Sequence, residues 1–303
     1  MNSHENEQND NTQFDSTQKL PVNILLAGCG DLGTRTAARL NPSYICYGLR
    51  RNPEGLPDFI RPLGADLTNF EQIKYVMDIG FQIVIVTITP DAYTESAYRA
   101  AYIAAAKNLL RVVNASKKPP GLVVWTSSTS VYGQESGEWV DELSPVSPKT
   151  YNGQIMLEAE NIITKLPCNK LVLRFSGIYG PGKNHLLDQV AAREQSKRHQ
   201  CQWTNRIHSD DCAAVFCHFV DLHLRGHILH ELYLGTDCEP VKQFDLRRWL
   251  SLKLDVKLEE TAISIIQSGR RCRNERLLGS EFKFLFPSYK EGYCAILENF
   301  KRS

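Results

Sequence analysis

The sequence predicts an α/β fold, a doubly wound parallel sheet covered by helices, with a smaller C-terminal lobe. Three observations carry this. First, an apolar run at 22–27 feeds directly into Gly28-Cys29-Gly30-Asp31-Leu32-Gly33 and then into a helix-forming stretch at 34–40. Second, apolar β-rich runs alternate with helical segments from there to Ser127, the rhythm of repeated strand–helix–strand units. Third, the runs at 82–88 and 122–126 are continuously apolar and β-branched rather than alternating, as expected of parallel strands buried on both faces.

Taken in order, the first strand and helix are followed by a strand at 44–49 and a short one at 60–65, bounded by Pro62 and Gly64. A helix over 71–79 precedes the fourth strand at 82–88. The alanine content and apolar spacing of 94–113 predict one long helix, and 122–126 is the fifth strand. Beyond Ser127 the rhythm loosens into a helix over 150–165, a strand at 171–175, a helix over 209–222, a strand at 232–234 and a helix over 244–253. Residues 270–300 mix basic, aromatic and turn-forming types, which suits a small lobe over a cleft. The doubly wound part is expected mainly over 21–180 and the smaller lobe mainly over 181–303.

Composition sets the outer limits. The 303 residues carry 35 basic and 34 acidic side chains, a formal charge of +1, which offers no electrostatic footprint for nucleic acid or an anionic membrane. No apolar stretch approaches the roughly 20 residues that span a bilayer. Residues 1–20 are polar, with no hydrophobic export segment, so a cytoplasmic protein with a disordered N-terminal tail is expected. The nine cysteines never show Cys-x-x-Cys spacing and read as reduced packing residues.

The glycine loop is a dinucleotide site in its proper context. Gly28 permits the tight turn, Gly30 lets backbone approach a pyrophosphate, and Gly33 lets helix and strand pack closely. Together with Asp31 and Leu32 they place the helix's free N–H groups against an anion. Arg50-Arg51 stands at the end of the second strand, where a carboxylate would favour the NAD ribose. A guanidinium there can bind a 2′-phosphate, so NADP(H) is expected over NAD(H), which stays the alternative. The other reading of the pair is an exposed loop. Asp66-Leu67 is placed to meet the adenine edge, or Asp66 caps the following helix. Thr87, closing the fourth strand, is a further cofactor-lining candidate.

Four motifs together resemble the extended short-chain dehydrogenase/reductases, the NAD(P)-dependent epimerase/dehydratase family. They are the glycine loop, Thr126-Ser127-Ser128-Thr129-Ser130-Val131-Tyr132-Gly133, Leu173-Arg174-Phe175-Ser176-Gly177-Ile178-Tyr179-Gly180-Pro181-Gly182, and Arg206-Ile207-His208-Ser209-Asp210-Asp211. The resemblance implies a Rossmann domain with a substrate lobe, and nucleotide sugars as a common substrate class. It implies that Ser128 binds the reacting oxygen and that a Tyr-x-x-x-Lys pair on the next helix exchanges the proton. Here the helix reads Tyr151-Asn152-Gly153-Gln154-Ile155-Met156, and neither register contains the lysine: Ile155 stands four residues after Tyr151, and Met156 four after Asn152. That lysine would lower the tyrosine's pKa from about 10 toward working pH.

Three explanations stay open: Tyr151 as donor with charge from Lys149 or another group, chemistry by Ser128 and water, or a cofactor-binding protein without turnover. Ile178, Tyr179 and Arg271, the last within the basic stretch 270–273, are substrate-binding candidates. Their other readings are a chain turn and a solvated loop. His208 reads as a structural histidine, with Asp210 or Asp211 capping the next helix. His223, His227 and His230 read as a solvated cluster rather than a zinc site, with Gly226 ending their helix. The expected partner is a small polar or nucleotide-sugar-like molecule, with a homodimer left open.

Overall fold

The computed structural model describes residues 21–193, 201–258 and 267–300; the expected tail at 1–20 lies outside them. The N-terminal half builds β1 (Asn23–Ala27), α1 (Asp31–Leu40), β2 (Ile45–Arg50), β3 (Ile60–Gly64), α2 (Phe70–Met77), β4 (Ile83–Val86), α3 (Glu95–Tyr98), α4 (Ala104–Ala115) and β5 (Leu122–Ser128). Next come β6 (Ser136–Val140), α5 (Tyr151–Ile163), β7 (Asn169–Phe175), β8 (Gly177–Tyr179) and α6 (His185–Ala191). The remainder is β9 (Gln202–Thr204), β10 (Arg206–His208), α7 (Ser209–Leu224), β11 (Leu232–Gly235), β12 (Val241–Lys242), α8 (Gln243–Leu254), β13 (Ser268–Cys272), α9 (Glu275–Gly279) and α10 (Tyr289–Phe300).

Seven strands form one parallel sheet in the order β11-β7-β5-β4-β1-β2-β3. The order reverses between β1 and β4, whose registers set Leu25 beside Val84 and Ala27 beside Val86. Both faces are covered, as the unbroken apolar strands predict. Alternate residues go opposite ways: Leu25, Val84 and Trp125 pack with Leu109 of α4 and Ile155 of α5. Ile24, Ile83 and Val124 pack with Ala37 of α1 and Phe216 of α7. Each such side chain removed from water contributes on the order of 2 kcal/mol, which is why the sheet centre fixes the fold.

The expected long helix is interrupted: a π-helical turn over Arg99–Ile103 joins α3 to α4, and the Thr94 side chain caps its start by accepting from Ala97 N at 3.3 Å. Gly226, at φ +80°, ends α7, with its N–H donating to the His223 carbonyl at 2.9 Å. A four-stranded sheet, β12-β9-β13-β6, and a two-stranded one, β10-β8, lie outside the main sheet. The chain passes between layers more than once: β6, before residue 180, belongs to the small sheet, and β11, after it, to the main one.

Candidate active site

An open cleft of about 360 Å³ lies at the carboxyl ends of β1, β2 and β4, where the strand order reverses. Gly28, Gly30, Arg50, Arg51, Asp66 and Leu67 all line it. Gly28 has φ +84°, and a Cβ there would stand 2.8 Å from the Ile88 backbone, so the turn requires glycine. The N–H groups of Gly28 and Cys29 both donate to the Leu49 carbonyl at 2.9 Å, pinning the loop to β2. A Cβ on Gly30 would meet only the Gly28 carbonyl, at 3.9 Å. The space in front of Gly30 is open toward the cleft, and Gly30 caps α1 with no side chain of its own. A phosphate fits that cradle, with the first-turn N–H groups of α1 as donors.

Gly33 and Thr87 support this loop from behind. A Cβ on Gly33 would press on Cys29 Sγ at 3.2 Å, and buried Thr87 donates to the Gly28 carbonyl at 3.0 Å. Leu32 packs against the core beneath α1. Asp31 is held by Arg35 at 2.7 Å and by Lys183 from the loop after β8. Burial opposes its ionisation, but the bonds from Lys183 and Arg35 outweigh that and hold the carboxyl below its ordinary range.

At the far end of the cleft, Arg50 donates to the Glu54 carbonyl, and its Nε is buried without a partner. Arg51 makes a two-point ion pair with Asp91, Nη1 to Oδ2 at 2.7 Å and Nη2 to Oδ1 at 2.5 Å. Asp66 accepts from Thr68 N at 2.8 Å and Thr68 Oγ1 at 2.7 Å. The cap of α2 is Asn69, which accepts from Gln72 N at 3.2 Å, so the capping alternative for Asp66 is corrected: its carboxylate closes the turn before the helix.

The catalytic candidates sit at the ends of β5 and the start of α5. Ser128 Oγ accepts from Ser130 N at 3.1 Å, which leaves its own proton free to donate. The Tyr151 hydroxyl donates to the Tyr93 carbonyl at 2.8 Å, and its ring meets Tyr98 edge-on at 5.6 Å. Both positions that could have held the lysine are apolar interior: Ile155 is 0% exposed and Met156 4%. Lys149 is paired with Glu135 at 2.6 Å on the surface.

The other candidates divide. Tyr179 is buried, stacked on Tyr293 at 4.5 Å and edge-on to His208 at 5.3 Å, a packing position. Ile178 is half-buried in β8 beside Ile207. Arg271 donates to the Gly137 carbonyl at 2.8 Å and lies between the rings of Trp139 and Trp203, 4.8 and 4.9 Å from their centres. Its neighbour Arg270 instead reaches the Thr129 carbonyl at 2.8 Å. With Arg206, Gly177 and Thr129 it lines a second hollow of about 300 Å³. Arg206 Nε is buried there without a partner.

His208 itself caps α7, its Nδ1 accepting from Asp210 N at 3.1 Å. This corrects the expectation that Asp210 or Asp211 does so. Asp210 bonds Arg35 at 2.7 Å; Asp211 accepts from Leu285 N and Phe286 N at 2.7 and 3.0 Å, tying α7 to the C-terminal segment. Burial pushes the His208 imidazole below its ordinary pKa, and its Nδ1 serves as an acceptor. Among the described residues no group of three or more His, Cys, Asp or Glu could hold a metal ion, and no helix is long and apolar enough to cross a membrane.

Two features had no clear signal in the sequence. One is Asp91, an acidic residue in a turn. The other is the buried network in which Arg174 bonds Glu160 twice, at 3.0 and 2.7 Å, and Tyr132 at 2.9 Å. Ser127 completes it with a 2.5 Å bond to the same carboxylate. Charged residues in a strand and a helix announce neither their burial nor their pairing.

The family description "RmlD substrate binding domain" matches residues 22–220. A protein of Methylobacillus flagellatus assigned as an NAD-dependent epimerase/dehydratase shares 34% identity and a TM-score of 0.82, covering 92% of this chain and 99% of that one. Protein YeeZ of Escherichia coli K12 is 36% identical over 190 residues, 61% of this chain and 66% of its own length. Two neighbours that show the fold alone differ in the nucleotide they hold. UDP-glucuronic acid 4-epimerase of Bacillus cereus, seen with UDP-glucuronic acid and NAD, is 16% identical (TM-score 0.74, covering 89% and 96%). Human epimerase family protein SDR39U1, seen with NADPH, is 15% identical (TM-score 0.74, covering 92% and 100%).

Proposed function

Because this chain belongs to the RmlD substrate binding domain family, as an atypical extended short-chain dehydrogenase/reductase of the epimerase/dehydratase type, we propose that it binds NADP(H) in preference to NAD(H) and acts on a small polar, anionic or nucleotide-sugar-like substrate. One observation carries the nucleotide reading: the cleft that begins at Gly28 and Gly30 ends at two arginines, Arg50 and Arg51, on β2 and just after it. Backbone N–H groups at the start of α1 would hold the pyrophosphate, and a guanidinium the 2′-phosphate. When bound, the nicotinamide supplies hydride exchange. Ser128 offers its hydroxyl proton to a substrate oxygen, and Tyr151 stands as the proton donor once it leaves the Tyr93 carbonyl. The hollow of Arg206 and Arg270, beside Thr129, would take the substrate's anionic end. The buried cysteines Cys29, Cys46, Cys212 and Cys272, none of them in a disulfide, favour the cytoplasm as the compartment.

A second reading rests on Ile155 and Met156. With apolar interior where the activating cation belongs, the chain binds the nucleotide without turning it over, as a sensor or scaffold.

Calorimetric titration with NADPH and with NADH tests the nucleotide reading. Tighter NADPH binding, lost in Arg50→Ala or Arg51→Ala, is expected; equal binding overturns the preference, and no binding overturns the cofactor. Oxidation of NADPH with any member of a panel of carbonyl compounds and nucleotide sugars then separates enzyme from sensor.

A further inference from the structure

We propose that Asp91 sets the protein's dinucleotide selectivity by competing with the ribose 2′-phosphate for Arg51. The inference rests on the NADP(H) reading and adds a residue to it. Asp91 lies on the loop after β4 and Arg51 just after β2, and both line the same cleft. Both carboxylate oxygens of Asp91 engage both terminal nitrogens of Arg51, at 2.5 and 2.7 Å. This two-point arrangement is the one that a phosphate takes on a guanidinium. The acid thus fills the edge that a 2′-phosphate would use. A phosphate arriving there must displace it, and one that settled on the other guanidinium edge would lie close to a like charge.

The pair is built to be displaced. Its side chains are 64% and 67% exposed, and ion pairs in water are weak. Arg50 can assist but offers less, because its Nη2 is on the Glu54 carbonyl and its Nε is buried. A nucleotide without the 2′-phosphate has no quarrel with Asp91 and leaves the pair intact. The competition therefore penalises NADPH alone.

The test is calorimetric titration of NADPH and NADH into the wild type, Asp91→Asn, Arg51→Ala and the double variant. Asparagine keeps the shape of residue 91 and removes its charge. The expected result is a gain in NADPH affinity of about two- to fivefold for Asp91→Asn, with NADH unchanged. That gain should vanish in the Arg51→Ala background. An equal gain for both nucleotides would mean that the substitution only opens the loop, and a loss for both that Asp91 clamps the bound nucleotide; either overturns the proposal. So does a wild type that prefers NADPH with an affinity Asp91→Asn leaves alone. A wild type that prefers NADH while Asp91→Asn prefers NADPH upholds the competition and overturns the wild-type preference. Absence of NADPH binding in all four proteins overturns both.

Discussion

The Tyr151 hydroxyl is bonded at 2.8 Å to the main-chain carbonyl of Tyr93, on the same loop that carries Asp91. The outer part of the loop after β4 is therefore tied to the end of β2 through Arg51 and to α5 through Tyr151. Tyr151→Phe removes one tether and the proposed proton donor together. Proteolytic cleavage within 89–94 should quicken several-fold while the sheet stays protected. Turnover of any substrate that the panel identifies should fall by about 10²-fold or more. Unchanged turnover would leave Tyr151 a tether only.

The two glycines nearest the cleft should fail in different ways. Gly28→Ala forces a Cβ against the Ile88 backbone at a positive φ, so the melting temperature should drop by several degrees, for a cost of about 1–3 kcal/mol. Gly30→Ala meets nothing closer than 3.9 Å and should leave melting unchanged. Its methyl group would stand where the backbone meets the pyrophosphate, and nucleotide affinity should fall about tenfold or more. Thermal melts beside titrations separate the two effects.

Arg174 and Glu160 are 7% and 6% exposed, so neither charge can turn to water when its partner is lost. Arg174→Ala should destabilise the fold by about 3–5 kcal/mol in urea unfolding. Arg174→Met with Glu160→Leu should recover much of that loss, since a matched apolar pair leaves no orphaned charge. Recovery no better than the single variant would show that the bonds to Tyr132 and Ser127 matter more than the ion pair.

Asp237 is 1% exposed, and burial pushes its carboxyl up to about 8, against weaker opposition from the Glu239 N–H and Arg206. In the unfolded chain it titrates near 4, so between about pH 4 and pH 8 the folded state binds the extra proton. Stability from this group is complete at the acid end of that window and declines as pH rises, by up to about 1.4 kcal/mol per pH unit. Asp237→Asn, which resembles the protonated acid, should flatten the decline and be the more stable protein at pH 8. A denaturation series from pH 5 to 8.5 gives the comparison; parallel curves would rule the effect out.

The main sheet was legible because burial on both faces leaves a mark that needs no partner to interpret. Ile83–Val86 is apolar at every position, and its place between β1 and β5 follows from that. The small sheet leaves no such mark. Strands β9 and β12 are three and two residues long, partly exposed, and pair across nearly forty positions of chain. The nucleotide loop was readable because glycine, strand and helix occur in one stretch. Arg51 was readable for its place, but not its hold on Asp91, forty residues away. On β13 of the small sheet the basic run suggests Arg271 for substrate, while the residue that lines the hollow is its neighbour Arg270. Adjacent residues of a strand point to opposite sides, and a basic run alone does not say which side is which.

The crossing of the chain between its two layers bears on how such a protein can change over time. The main sheet takes its outermost strand, β11, from the C-terminal part, while the small sheet takes β6 from the N-terminal part. A cut near residue 180 would strip each layer of a strand, and would part α7 from α1, on which it packs. Neither fragment is a unit that recombination could transplant whole. New specificity in this architecture has to come from replacements within the loops and the small sheet, made while the nucleotide-binding frame stays covalently interleaved with them.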